Sequence, residues 1–386
     1  MGSENLRVVW RDEPESSAEY EAQRRRVYTL RVPDRYPLAI VRPRTVSQVV
    51  SAVKLAIEKD VRVAIRSGGH SWACWSLRQD SVLIDFVDFK HLSYDEATDT
   101  LEASPGTIGF PAIVTRFYLR TMADFPVQLN SVYVYPIQEY DALETWMNKV
   151  PSSTSLLSMT LPALHRDTEP VIHASNDPDK GYYIAVIVVA RADTEAQARS
   201  YLQVLADTRP PNALEAKEQQ LSDQVQDYEE SLRLMPPDHR WVADNAYLDN
   251  QVDFAQTVKE AFTSLPKGGI AFWEPMNPVS REPLEDMALS LHTDHYFALY
   301  AAYKDAAEDE WHDTWVRRSM DDLRKHQRGA YLGDTDFQFH DTKYWSDEAG
   351  KKLMSIRKRW DPEGRICGYL DKGDKSGANG VSNELR

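Results

Sequence analysis

Hydrophobic positions in the first hundred residues follow two different spacings. Leu38–Val41 is apolar throughout, whereas Val46–Glu58 has apolar residues three and four positions apart, the spacing of an amphipathic helix. Thr45 precedes that helix and is its N-cap candidate. Further strands are expected at Val61–Ile65, Val82–Phe86 and Leu101–Ala103. This order of strand, helix and strands predicts an α/β beginning.

The pattern changes after Pro126, where longer strands alternate with amphipathic helices. Strands are expected at Val127–Tyr135, Ser155–Leu161, Tyr182–Ala190, Gly269–Glu274 and Ser290–Tyr303. Helices are expected at Ile137–Lys149, Thr194–Ala206, Glu215–Leu232, Phe254–Ser264 and Glu308–Gln327. These elements favour an antiparallel sheet backed by helices, so the predicted class is α+β with an α/β-like N-terminal part.

A short loop, Arg66–Ser71, follows the strand at Val61–Ile65 and reads R-S-G-G-H-S. Gly68 and Gly69 permit positive φ and carry no Cβ, so backbone N–H groups can converge there on an anion. Arg66 is expected to place a guanidinium at the mouth of the loop, and His70 projects an imidazole just beyond it. The arrangement suits a diphosphate cofactor. A polar hairpin with a surface histidine is the alternative that these few residues leave open.

The stretch around this loop can be compared with known families. Tyr36–Ser71, including Pro37-Leu-Ala-Ile-Val-Arg-Pro43, resembles the FAD-binding domain of the berberine-bridge-enzyme-like oxidases. These belong to the vanillyl-alcohol-oxidase, or PCMH-type, flavoproteins. The resemblance implies that the loop wraps the FAD pyrophosphate and that His70 carries the isoalloxazine through an 8α bond. The cofactor contacts implied in this way are Arg66, Ser67, Gly68, Gly69, His70, Ser71, Gly106 and Val114.

Two segments that this family keeps apart adjoin each other here. Leu101–Gly106 resembles the strand and turn that begin the second half of the FAD domain, and Ile108–Arg120 resembles its closing strand. The intervening glycine-rich loop, strands and helix of the family are missing, which predicts a truncated FAD domain. Neither Cys74 nor Cys367 matches the second flavin-attaching cysteine of bicovalent relatives. His70 would then be the sole covalent anchor.

The C-terminal part resembles the family again. Gly329–Gln338, Lys343–Trp345 and Leu353–Gly368 resemble its C-terminal signature, where the chain crosses back to the flavin domain. Gly333 stands where the family usually has Asn, which implies one lost contact with the cofactor. The predicted boundaries are a truncated FAD domain at 1–125 rejoined by 340–370, a substrate domain at 126–339 and a polar tail at 371–386.

Oxidation at carbon by a flavin also needs a group that takes the departing proton. Glu274 follows Trp273 in a strand-like run, where alternation places Phe272 and Glu274 on one face and Trp273 on the other. Glu274 is therefore a candidate base. The alternative is an exposed, inert carboxylate at a strand end.

Three tyrosines are the other catalytic candidates. Tyr331 and Tyr344 match family positions near the flavin, and Tyr296 lies in a predicted strand of the substrate domain. A tyrosine acts as a base near neutral pH only beside a cation, and packing with one hydrogen bond is the alternative role. Asp334 and Asp336 are expected to be solvated acids.

Composition and charge narrow the classes of partner. The 386 residues carry a net charge of −15, which argues against nucleic acid or an anionic membrane as a partner. The two cysteines are too few for a disulfide framework. Strand alternation separates the side chains of His292, Asp294 and His295, so no metal site is expected there. Met1–Arg11 has no apolar core of signal-peptide length and no stretch has the length of a membrane span, so an intracellular location is expected.

These observations leave three functional hypotheses. The first is an FAD-dependent oxidase of secondary metabolism that transfers a hydride from a small-molecule substrate to flavin N5. The missing block raises a second hypothesis, in which FAD is lost and the former flavin cavity serves a lyase, isomerase or cyclase. The third is a non-catalytic binding protein or an aberrant gene model. The colour of the purified protein separates the first hypothesis from the second.

Overall fold

The chain divides into two structural units. The first unit lies within residues 1–123, 336–341 and 345–386, and the second within 124–335 and 342–344. The structure is a computed structural model. It describes residues 6–104, 113–121, 125–148, 168–276, 280, 283, 286–287, 289–336 and 338–368. Each unit has its own sheets and is treated separately below.

A small, mainly parallel sheet forms the centre of the first unit. Its strands are β1 (Val8–Trp10), β2 (Ala39–Val41), β3 (Val63–Arg66) and β4 (Val82–Asp85), in the order β1-β2-β4-β3. The helices before and after β2 are α1 (Ser17–Arg24) and α2 (Val46–Glu58). Thr45 accepts a hydrogen bond from the Gln48 N–H, which confirms it as the N-cap of α2. The apolar face of α2 packs against the sheet, as the helical spacing predicts.

A second, three-stranded sheet follows in the first unit. It is an antiparallel meander of β5 (Leu92–Asp95), β6 (Thr100–Ala103) and β7 (Phe117–Arg120). β6 pairs directly with β7, with Leu101 opposite Leu119. The two segments that adjoin in sequence are therefore also neighbours in space. Gly106, one of the implied cofactor contacts, lies outside the described residues.

An eight-stranded antiparallel sheet forms the second unit. Its strands are β8 (Val127–Pro136), β9 (Thr168–Asp177), β10 (Gly181–Ala192), β11 (Glu215–Leu221), β12 (Arg240–Leu248), β13 (Gly269–Pro275), β14 (His295–Tyr303) and β15 (Gln327–Gly329). Their order is β11-β8-β10-β9-β13-β14-β12-β15. The helices are α3 (Tyr140–Asn148), α4 (Glu195–Thr208), α5 (Gln224–Leu234), α6 (Phe254–Thr263) and α7 (Asp309–Asp321). The predicted α+β class, with a helix-backed antiparallel sheet, is confirmed.

The two faces of this large sheet have different roles. One face carries Ile172, Val186, Trp273 and Phe297, which pack with α3, α4, α6 and α7 in one hydrophobic core. Because side chains alternate along a strand, the residues directly before and after each of these four point to the opposite face of the sheet. That opposite face carries the candidate site described below.

Some predicted elements were wrong or lie outside the described residues. The segment predicted as one helix over Glu215–Leu232 is strand β11 followed by helix α5, which begins after the N-cap Asp223. β11 pairs with β8 at the edge of the sheet, and such pairing overrides the helical propensity of its Glu, Lys and Gln residues. β9 and β12 were not predicted, and Ser155–Leu161 lies outside the described residues.

The C-terminal segment adds to the first unit. Helix α8 (Asp347–Trp360) begins at the N-cap Ser346 and ends before residues that pair with β3. The Val63 N–H donates to Arg365 O, and the Cys367 N–H donates to Val63 O, each at 2.8 Å.

The described helices include none with the length and apolar character needed to cross a bilayer.

Candidate functional site

The Gly-Gly turn after β3 depends on having glycine at both positions. Gly69 has φ of +76°, and a Cβ built there would lie 2.9 Å from the Arg26 carbonyl oxygen. A Cβ at Gly68 would lie 2.6 Å from Cδ2 of His70. The first glycine therefore leaves room for the imidazole, and the second allows the left-handed backbone and a close approach to another chain segment.

Three consecutive N–H groups of this turn are available to a ligand. The backbone N–H groups of Gly68, Gly69 and His70 donate to no acceptor within the described part of the chain. The His70 side chain is exposed, and its ring stacks on Tyr28 with centroids 4.9 Å apart. The turn therefore offers anion-binding donors next to an accessible imidazole.

Arg66 has a different role from the one predicted. Its guanidinium does not lie at the mouth of the loop but inside the first unit, where it bonds Asp85 at 2.7 Å. It also donates to the Gln23 and Arg24 carbonyl oxygens at 2.6 and 3.2 Å. The expected position was wrong because β3 pairs with β4, which places Asp85 opposite Arg66. Burial lowers the pKa of Arg66, and Asp85 offsets part of that effect.

The other implied cofactor residues occupy less distinctive positions. The Ser67 carbonyl accepts a hydrogen bond from Arg26 at 3.3 Å. The Ser71 hydroxyl accepts one from the Trp75 N–H at 3.4 Å. Val114 is half-buried in a segment without regular structure. Contact of these three residues with FAD remains a prediction.

A row of polar and aromatic side chains crosses the second unit's sheet on the face away from the core. Tyr247 of β12 lies opposite Tyr296 of β14, which lies opposite Glu274 of β13. Partners in register share one face, so all three side chains point the same way. Phe272 lies beside the row, with its ring 6.3 Å from that of Tyr296. The predicted separation of Phe272 and Glu274 from the core residue Trp273 is confirmed.

Asp334 joins this row to a second tyrosine. The Tyr296 hydroxyl donates to Asp334 Oδ2 at 2.6 Å, and the Tyr300 hydroxyl donates to the same oxygen at 3.0 Å. Tyr296 and Tyr300 are both buried, four residues apart on one strand face. The expectation that Asp334 is a solvated acid was wrong, because two buried hydroxyl groups bind it.

The electrostatics of this group distinguish donors from acceptors. Burial raises the pKa of Tyr296 and Tyr300 well above the ordinary value, and Asp334 raises both further. Both hydroxyl groups therefore keep their protons near neutral pH. Glu274 is exposed, but partial desolvation and then the charge of Glu169 raise the pKa of its carboxyl. Of these groups, Glu274 is the one suited to accept a proton from outside.

The two C-terminal tyrosine candidates differ in surroundings. The Tyr331 ring meets the Tyr296 ring edge-on, 6.2 Å between centroids, and desolvation raises its pKa. A Cβ at Gly333 would lie 2.5 Å from that ring, so Gly333 leaves space for Tyr331 in its observed position. Tyr344 is buried, and its catalytic role remains a prediction.

His292 lies beside the row but outside the strand predicted to contain it, because β14 begins at His295. Its ring is 5.7 Å from that of Tyr247, and desolvation lowers its pKa, which keeps it neutral near pH 7. Within the described residues, no group of three or more His, Cys, Asp or Glu side chains could hold a metal ion.

Comparisons with known proteins agree with the chemistry of the loop. Residues 37–112 match the family model described as an FAD binding domain. The chain is 30% identical to the FAD-linked oxidoreductase nodO of Hypoxylon pulicicidum, over 95% of this chain and 98% of the relative. It is also 30% identical to the FAD-linked oxidoreductase janO of Penicillium janthinellum, with the same coverage. The chain belongs to the FAD-linked oxidoreductases.

Solved structures share the fold of this FAD-linked oxidoreductase at low sequence identity. Physcomitrella patens BBE-like 1 superposes with a TM-score of 0.74 and 14% identity, covering 97% of each chain. The 6-hydroxy-D-nicotine oxidase of Arthrobacter nicotinovorans has a TM-score of 0.72 and 13% identity, covering 94% of this chain and 97% of the other. The fold is therefore that of the berberine-bridge-enzyme-like flavoproteins.

The alignment with nodO also concerns the predicted truncation. It extends over 456 positions, and 386 residues leave at least 70 of them without a residue of this oxidoreductase. The location of these gaps between Leu101–Gly106 and Ile108–Arg120 remains a prediction.

FAD is the cofactor of this oxidoreductase, and the loop fits that group. Phosphate oxygens need N–H donors, which Gly68, Gly69 and His70 present, and glycine leaves room for a close approach. Arg66 is committed to Asp85, so the backbone and not this guanidinium is suited to hold the phosphates.

The turn gives a first testable prediction. Gly69→Ala is expected to lower the affinity of the oxidoreductase for FAD about tenfold or more, because the new Cβ strains the backbone and meets the Arg26 carbonyl. The measurement is fluorescence titration of the FAD-free protein in a His70→Ala background, where the flavin would bind only noncovalently. Gly181→Ala is the matched control, since Gly181 has φ of +85° but a Cβ there meets no atom within 4 Å. Equal FAD affinity in the two variants would contradict the assignment of the loop.

Sequence reasoning missed part of the group in the second unit. Tyr300, Asp244 and Asn245 were not among the candidates, and Asp334 was assigned to solvent. Tyr300 could have been found, since it lies four residues after Tyr296 in a predicted strand. The Asp244-Asn245 pair carried no signal, because its partners lie about ninety residues away.

Proposed function

We propose that this FAD-linked oxidoreductase oxidises a small organic molecule at carbon, with Glu274 taking the substrate proton. Bound FAD would accept the hydride from the substrate carbon. The observation that carries the proposal is the exposed Glu274 carboxylate with a raised pKa, in register with the buried, neutral Tyr296. A carboxylate whose pKa moves towards neutrality is a better general base than an ordinary surface glutamate.

The buried tyrosines have a different part in this proposal. Tyr296 and Tyr300 hold their protons and donate them to Asp334, so neither is suited to remove a proton from substrate. Their hydroxyl groups and Asp334 instead form a rigid polar support beside Glu274. The rings of Phe272, Tyr247 and Tyr331 flank Tyr296. Tyr247 is buried, so the half-buried rings of Phe272 and Tyr331 are the ones that would offer apolar surface to a ring-bearing substrate.

We also propose that His70 carries the cofactor covalently. Its imidazole is exposed at the end of the turn whose N–H groups are suited to the phosphates, and Tyr28 holds the ring by stacking. Gly68 leaves room for the ring, because a Cβ there would lie 2.6 Å from Cδ2 of His70.

The experiment is an absorption spectrum before and after acid precipitation. The purified protein is expected to be yellow, and the colour is expected to remain in the precipitate. His70→Ala is expected to release the flavin into the supernatant, whereas His91→Ala, which alters a partly exposed histidine elsewhere in the first unit, should not. A yellow supernatant from the wild type would exclude the covalent bond. A colourless protein that takes up no added FAD would overturn the flavin-dependent function and favour the flavin-free lyase, isomerase or cyclase.

A further inference from the structure

We propose that Asp244 and Asn245 of β12 are positioning residues for the Asp334 carboxylate. They hold the two ends of residues 331–335, so that Asp334 between them reaches the two buried tyrosine hydroxyl groups. We call Asp244 and Asn245, with the bonds they make to residues 331–335, the clamp. Its effect on turnover rests on the function proposed above, whereas its effect on the 331–335 segment does not.

The register of the sheet shows why Asn245 can act in this way. β12 pairs antiparallel with β15, with Tyr247 opposite Gly329. Two residues further along, the same register places Asn245 opposite Tyr331. At that point the side-chain amide replaces the backbone ladder. The Tyr331 N–H donates to Asn245 Oδ1 at 2.7 Å, and Asn245 Nδ2 donates to Tyr331 O at 2.8 Å.

This replacement changes the path of the chain. A side-chain amide offers the same donor and acceptor as a peptide group, but it stands out from the sheet surface. Asn245 points to the same face as Tyr247, two residues along the strand. A segment bound to its amide therefore leaves the sheet edge and runs over the face that carries the tyrosines of β14. A backbone pair at the same position would keep the segment in the plane of the sheet.

A second anchor holds the other end of the segment. The Thr335 hydroxyl donates to Asp244 Oδ1 at 2.6 Å and lies 3.3 Å from Asn245 Nδ2. Asp244 lies opposite the core residue Leu299 and Asn245 on the other face, so this anchor is at the edge of the sheet. Asp334 directly precedes Thr335 and lies three residues after Tyr331, so the chain is held on both sides of it. Asn245 is fully buried, so its bonds do not compete with water and their loss leaves buried polar groups unpaired.

The test combines hydrogen exchange with kinetics of the FAD-loaded enzyme. Asn245→Leu removes both amide bonds at similar volume, and amide exchange in a peptide covering residues 329–336 is expected to accelerate at least tenfold. The value of kcat is expected to fall about 10- to 100-fold with little change in KM or FAD content, because the misplaced carboxylate no longer supports the tyrosines. Asp334→Asn in the same background should add little further loss, since Asn245 acts through Asp334.

Two further variants keep the result decisive if Asn245→Leu folds poorly. Thr335→Val removes the hydroxyl and should also accelerate exchange, whereas Thr335→Ser retains it and should restore the wild-type rate. Unchanged exchange in Asn245→Leu and Thr335→Val, or losses in kcat that multiply with Asp334→Asn, would overturn the clamp. Accelerated amide exchange in residues 329–336 of an enzyme that oxidises no substrate would support the clamp and contradict the proposed function instead.

Discussion

Replacing Glu274 by Gln is expected to lower kcat by about 10²- to 10⁴-fold, the usual contribution of a general base. The amide keeps the size and the hydrogen-bonding reach of the side chain but cannot take up the substrate proton. Because Glu274 lies in the second unit and the FAD-binding match covers residues 37–112, the FAD content is expected to stay the same. The measurement is steady-state turnover together with the flavin-to-protein absorbance ratio.

The pH dependence of turnover tests the same residue. Glu274 must be ionised to act as a base, and desolvation together with the Glu169 charge raises its pKa above the ordinary 4.5. Activity should therefore fall as the pH drops through that raised pKa, and the acidic limb of the profile should lie above pH 4.5. Glu169→Gln is the matched control: it removes the neighbouring charge, so kcat at its plateau should persist while the limb moves to lower pH. Near wild-type activity in Glu274→Gln would exclude this base.

Asp85→Asn is expected to destabilise the first unit by about 3 to 5 kcal/mol, which is typical when one partner of a buried ion pair is removed. Asp85 is fully buried and accepts hydrogen bonds from the guanidinium groups of Arg66 and Arg26. It also caps the turn after β4 by accepting from the Val87 N–H at 3.2 Å. Asparagine preserves the cap, so the loss reports mainly on two cations left without their carboxylate.

The measurement for Asp85→Asn is denaturant unfolding followed by flavin fluorescence, which reports on the cofactor-binding unit. Asp88→Asn provides the comparison, because Asp88 pairs with Arg42 at a partly exposed position. That variant should lose at most about 1 kcal/mol, as is usual for exposed ion pairs. If both variants lose the same free energy of unfolding, the buried ion group stabilises the first unit no more than a partly exposed ion pair does.

Local sequence patterns carried much of the fold and part of the site. Helix α2 and its cap Thr45 follow from helical spacing and side-chain chemistry, which involve only neighbours within a few residues. The Gly-Gly-His turn follows from the missing side chain of Gly68 and the backbone freedom of Gly69. Period-two alternation placed Glu274 and Phe272 on one face and Trp273 on the other, as the structure confirms. These features depend on contacts that a short stretch of chain makes with itself.

Pairing between distant strands decided the rest. Alternation predicts which side of β3 Arg66 faces. Only the pairing of β3 with β4 shows that Asp85 lies opposite Arg66 and binds its guanidinium inside the first unit. Alternation likewise cannot say that β12 lies between β14 and β15, which is what brings Asn245 to Tyr331 and Asp334 to Tyr296. The amino-acid sequence by itself determined many of the elements, the cofactor turn and the face of Glu274. The tertiary structure alone decided which of those faces meet, because strand order depends on the free energy of the whole sheet and not on any one segment.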